Sequence, residues 1–144
     1  VHTITFSEAL EVCRPQPLPA LCPGSWVYGS FSTWIGEADK NRAWELLIEA
    51  KQTYDTVVGA NGFDTARLRQ LQRQLAICEG SDWFWWFGDY NPADSVSDFD
   101  QLFRLQLTNL YELLGEPVPP SLAEPISVGG GQADNAGTMR RGHG

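Results

Sequence analysis

The chain has little of what metal centres and nucleophilic sites are commonly built from. It carries two histidines, His2 and His143, at opposite ends of the sequence. They offer no metal constellation and no well-placed base for a Ser-His-Asp or Cys-His arrangement. The cysteines are three, Cys13, Cys22 and Cys78. An odd count without a spaced framework argues against a disulfide-stapled secreted module, and they read as small buried thiols in a reducing cytoplasm. Basic charge is scarce: ten Lys and Arg against eighteen Asp and Glu leave a net −8. A phosphate-binding surface needs a basic patch, so nucleic acid is excluded as a partner, and an anionic membrane with it. No apolar run approaches the ~20 residues needed to span a bilayer. The opening Val1-His2-Thr3 has neither an initiator Met nor a charged leader region, and reads as the interior of a longer polypeptide.

What the chain has in excess is aromatic rings. Of its six tryptophans, three fall inside the cassette Trp83-Phe84-Trp85-Trp86-Phe87, which Glu79, Asp82 and Asp89 bracket. A regular amphipathic element shows its apolar residues on one face, so a contiguous run of rings cannot all enter one core. Some of them must face a cleft or a partner. Trp and Tyr stack on the flat apolar faces of sugars while carboxylates accept from hydroxyls at the ring edge. By itself the cassette therefore suggests carbohydrate.

With 144 residues, 42% of them apolar, the chain is one domain with room for a core. Thr3–Phe6 is a short β-prone run, followed by a helix start at Ser7-Glu8-Ala9-Leu10. Pro15, Pro17, Pro19 and Pro23 make the next stretch extended loop. Gly24–Gly36, with Trp26, Tyr28, Phe31 and Trp34 between glycines, has no helical period and reads as an irregular functional loop or short strands. Three helices follow. The first runs from an Asp39 cap to Val58, stopped by Gly59, with Trp44, Leu47, Ile48, Tyr54 and Val58 on one face. The second is capped by Asp64 and buries Leu68, Leu71, Leu75 and Cys78, ending around Gly80. The third opens at Ser97-Asp98-Phe99-Asp100, a variant capping box, and carries Phe99, Leu102, Phe103, Leu107, Leu110, Leu113 and Leu114 to a stop at Gly115. The fold expected is mainly α: a three-helix bundle preceded by a short β or extended segment and an aromatic-glycine loop. Residues 1–127 form that region, and 128–144, opening on Gly129-Gly130-Gly131, read as a disordered tail or linker.

Several of these motifs together carry a resemblance. Pro23-Gly24-Ser25-Trp26, Phe31–Gly36, Asn41-Arg42-Ala43-Trp44, Glu79–Trp86, Phe99–Arg104 and Leu114–Pro120, in this order and spacing, resemble glycoside hydrolase family 57, nearest its amylopullulanase-like members. The resemblance covers roughly residues 1–127. It implies the C-terminal helical part of a catalytic region, which packs on an N-terminal α/β barrel of the same polypeptide and completes the cleft for an α-glucan or maltooligosaccharide. The family's retaining mechanism uses a Glu nucleophile and an Asp acid/base on the barrel. Nothing in this chain matches either motif, so the resemblance implies no catalytic residue here, no cofactor and no cleavage by the chain alone. Ser81-Asp82-Trp83 looks like the last of the family's sequence signatures. Trp26, Asp82 and Trp83 are then the residues expected on substrate, with Tyr28 and Trp86 as further candidates. After Trp26 the chain departs from the family's usual Ile-Asn-Gly/Ala-Asn-Phe, reading Val27-Tyr28-Gly29-Ser30-Phe31.

Trp44, by its periodicity, is expected in the core, and Trp34 as a packing anchor. Two readings of other classes stand beside the enzyme: a free-standing glycan-binding module using the aromatic platform, and a helical protein-interaction domain. Affinity for maltooligosaccharides separates them.

Overall fold

A computed structural model describes residues 2–131. Its elements are α1 (Phe6–Val12), α2 (Ala38–Ala60), α3 (Thr65–Cys78), α4 (Asp82–Trp86) and α5 (Ala93–Leu114), followed by a 3₁₀ turn over Pro120–Ala123. The architecture is mainly helical, as expected, and among the described residues there is no strand. The β-prone start finds no partner to pair with among the described residues, and a lone strand leaves its backbone groups unpaired. The run instead leads into α1. Thr5 caps that helix by accepting from the Glu8 N–H, while the Glu8 carboxylate accepts from the Thr5 N–H at 2.7 Å, a complete capping box.

Helices α2, α3 and α5 pack pairwise around one core. On α5 the fully buried Phe103, Leu107 and Leu110 recur at helical spacing. They meet Ala43, Leu47 and Ala50 of α2 and Leu71 and Leu75 of α3. Ile48 lies off the apolar stripe and is half exposed. Two helix starts differ from expectation. Helix α2 begins at Ala38 with Glu37 as N-cap, which leaves the Asp39 side chain to accept from Ser127 Oγ at 2.7 Å. It also runs through Gly59 to Ala60, where the Asn61 side chain donates to the Val57 carbonyl. Helix α5 begins a turn early, at Ala93 after Pro92, because this buries Val96 completely. Asp64 caps α3 and Gly115, at φ 77°, ends α5 as expected.

The segment after α5 is strapped back across the bundle. Buried Asp100 pairs with Arg104 at 2.8 Å and accepts from the backbone N–H groups of Ile126 and Ser127. Residues 128–131 are not a loose linker: the N–H groups of Gly130 and Gly131 both donate to the Asn91 carbonyl. A side chain at Gly131 would run into the Tyr90 carbonyl, so glycine here serves close approach rather than flexibility. The rest of the expected tail, 132–144, lies outside the described residues. The thiols also divide: Cys78 is buried, but Cys13 and Cys22 are exposed, because the proline-rich arm that carries them is not buried by any of the described residues. No helix among the described residues is long and apolar enough to cross a membrane.

Candidate functional site

The cassette is a helix of little more than one turn, and it sends its rings three ways. Phe84 and Phe87 point inward and are fully buried, with Phe84 stacked on Trp44 and both meeting Phe103 edge-on. Trp83 and Trp86 both turn to α5, where Phe99 lies against the two of them. Trp85 turns away from that side, to the aromatic-glycine loop. It meets Trp34 at 5.7 Å and Trp26 at 6.3 Å, the latter with planes only 23° apart. A short helix can distribute neighbouring rings in this way because successive side chains are 100° apart on its surface.

Trp26 rides on a closely braced turn. Val27 is buried and anchors it. Tyr28 at φ 53° and Gly29 at φ 66° are both left-handed, and the Ser30 N–H closes the turn on the Val27 carbonyl, the pattern of a type I′ turn. Ser25 Oγ stitches it together, donating to the Ser30 carbonyl at 2.6 Å and accepting from the Val27 N–H. Left-handed backbone at an aromatic residue costs about 1–2 kcal/mol. The result is that Trp26, stacked on Trp85, remains 77% exposed. Tyr28, Phe31 and Ile35 of the same loop are also half exposed.

Two side chains of α2 hold this loop to the cassette. Trp44 Nε1 donates to the Trp34 carbonyl at 2.9 Å. Lys40, with no exposed surface, shares the three N–H groups of Nζ among four oxygens: the carbonyls of Thr33 (2.8 Å), Phe84 (2.6 Å) and Phe87 (2.8 Å) and Tyr90 Oη (2.6 Å). Burial pushes the Lys40 ammonium down to about 8, against the pull of Glu37 and Asp39. The Tyr90 phenol is pushed up by the same burial, helped by Glu37 and Asp89. Beside it, a cleft of about 340 Å³ is lined by Glu37, Ala38, Asp39, Gly88 and Asp89, a run of carboxylate acceptors next to the end of the cassette.

Of the residues expected on substrate, Trp26 presents a free ring face and Tyr28 stands half exposed two residues on. Asp82 is exposed at the first position of α4. Trp83 is half buried, its N–H committed to the Ile77 carbonyl, and Trp86 lies stacked on Phe99. Trp83 and Trp86 therefore gather on the α5 side of the short helix, apart from Trp26, which sits with Trp85. Trp34 and Trp44 are packing residues as expected, each half buried against the core. Sequence reasoning passed over Trp85 as the seat of Trp26, and Lys40 entirely. Among the described residues no cluster of His, Cys, Asp and Glu has the arrangement of a metal site.

No family model, curated protein or solved structure matches this chain.

Proposed function

We propose that this chain is the glycan-binding, cleft-lining part of a family 57-like α-glucan hydrolase or transglycosylase. Its own work is to hold the chain of sugars, while the Glu and Asp of a retaining mechanism come from an α/β barrel of the same parent polypeptide. One observation carries this reading. Trp26 keeps 77% of its surface exposed, yet the fold braces it on a strained turn and backs it with Trp85 at 6.3 Å. A large apolar ring held rigid and open is what stacking on a pyranose face requires, since little side-chain freedom remains to be lost on binding. The acidic cleft beside Gly88 and the exposed carboxylate of Asp82 add hydroxyl acceptors.

A second observation favours a large partner surface. Helix α1 buries none of its residues, and Phe6, Leu10, Val12, Leu18 and Leu21 of the arm are all more than half exposed. A seven-residue helix is not stable in water by itself, so this arm fits against another body, in this reading the barrel.

Titration of the chain with maltooligosaccharides, followed by tryptophan fluorescence and calorimetry, tests the proposal. Saturable binding that Trp26→Ala abolishes, while changing stability by less than about 0.5 kcal/mol, is the expected result. Absence of binding in the wild-type chain would leave the aromatic surface to a protein partner and sink the glycan reading.

A further inference from the structure

We infer that Lys40 is the positioning residue of the aromatic surface: one buried ammonium fixes the loop and the cassette to α2, and with them Trp34, Trp85 and the seat of Trp26. In function this role extends the sugar-binding reading of Trp26 over Trp85 and rests on it; in structure it stands on the contacts of Nζ.

Those contacts come from two separate stretches of chain. Thr33 immediately precedes Trp34, and Phe84 and Phe87 flank Trp85, so the carbonyls Lys40 holds lie beside the two rings that meet at 5.7 Å. The Trp44 N–H on the Trp34 carbonyl is the second tie between α2 and the loop. An ammonium has three N–H donors, and with Lys40 wholly buried no water substitutes for them. A neutral side chain of the same length leaves three buried carbonyls unpaired, each at the full loss of its hydrogen bond.

The proton itself matters to this arrangement. A neutral amine has two N–H groups and one lone pair, so Tyr90 Oη turns to donate to it and one carbonyl loses its partner. The charged and titratable groups around it are Glu37 at the N-cap of α2, Asp39 on its first turn, and Asp89 and Tyr90 after the cassette. With the ammonium held down to about 8, the loosening falls within reach of a pH titration.

The experiment is exciton circular dichroism of the full chain, with Trp26→Phe identifying the part of the signal that belongs to the Trp26–Trp85 stack. For Lys40→Met the expected result is a retained helical spectrum, a stack signal reduced to that of Trp26→Phe, and maltooligosaccharide affinity weakened about tenfold or more. A Lys40→Met chain with the wild-type stack signal overturns the role. Should Lys40→Met fail to fold, the wild-type chain decides: its stack signal is expected to change with a midpoint near pH 8, and a flat response overturns the role. A stack signal lost in Lys40→Met, in a protein whose wild type binds no sugar, keeps the positioning role and removes the glycan reading instead.

Discussion

Trp44 and Phe84 lie face to face, ring centroids 3.9 Å apart and planes 6° from parallel. The stack joins α2 to the short cassette helix, and Trp44 also reaches the loop through its indole N–H. Trp44 thus serves two neighbours with two kinds of contact.

Those contacts are separable. Phe84→Ala, which empties a fully buried site, is expected to cost about 3–5 kcal/mol. Trp44→Phe keeps a ring against Phe84 but loses the hydrogen bond to Trp34, at about 1 kcal/mol. Urea denaturation with an unchanged m-value measures both, and equal losses would show that the ring stack contributes little.

The turn that carries Trp26 depends on two glycines for different reasons. Gly29 has open space around it but sits at φ 66°, so Gly29→Ala is expected to cost about 1 kcal/mol through conformation alone. A methyl group at Gly24 meets the Gly29 carbonyl oxygen, which is backbone and yields only if the loop opens. Gly24→Ala should therefore cost about 2–3 kcal/mol and shift tryptophan emission, whereas Gly29→Ala should leave emission unchanged. The reverse order in thermal denaturation would contradict this account of the turn.

Thr33 holds the backbone carbonyl that Lys40 uses, but its own Oγ1 is buried without a hydrogen-bond partner among the described residues. Thr33→Val removes an unpaired hydroxyl and keeps the shape. It is expected to raise stability by about 1 kcal/mol, read as a higher urea midpoint; a drop of that size would reveal a partner for the hydroxyl.

Burial pushes the Cys78 thiol from 9.0 up to about 12. Above pH 9 the unfolded chain loses this proton while the folded chain keeps it, so stability from this group is full below pH 9 and declines toward pH 12. Lys40, lowered from 10.5 to about 8, acts oppositely and adds stability as pH rises from about 8 to 10.5. Comparing the wild type with Cys78→Ala cancels Lys40. The wild-type advantage is expected to shrink steadily above pH 9, and a constant difference would place the thiol in contact with water.

The three long helices could be read from sequence because each repeats apolar residues at helical spacing over several turns, and Asp64 and Gly115 are strong local signals for a start and a stop. Helix α4 could not. Its five residues are all aromatic or acidic, so no period exists to detect, and only the neighbours Phe99, Trp44 and Trp26 decide which way each ring turns. Pro92 displaced the Ser97 start because burying Val96 outweighed a cap. Gly129–Gly131 read as a linker since a close approach and a flexible hinge ask for the same residue. Lys40 left no trace at all: a lysine in the first turn of a helix ordinarily points to water, and three of its acceptors are main-chain carbonyls, which every residue possesses.

That last feature bears on how such a surface changes over time. Because the ammonium grips peptide groups at 33, 84 and 87, it is indifferent to which side chains those positions carry. Rings around Trp85 and Trp26 can be exchanged, enlarged or removed while the frame that presents them stays in register. The lysine ties down the backbone and leaves the exposed aromatic face open to selection.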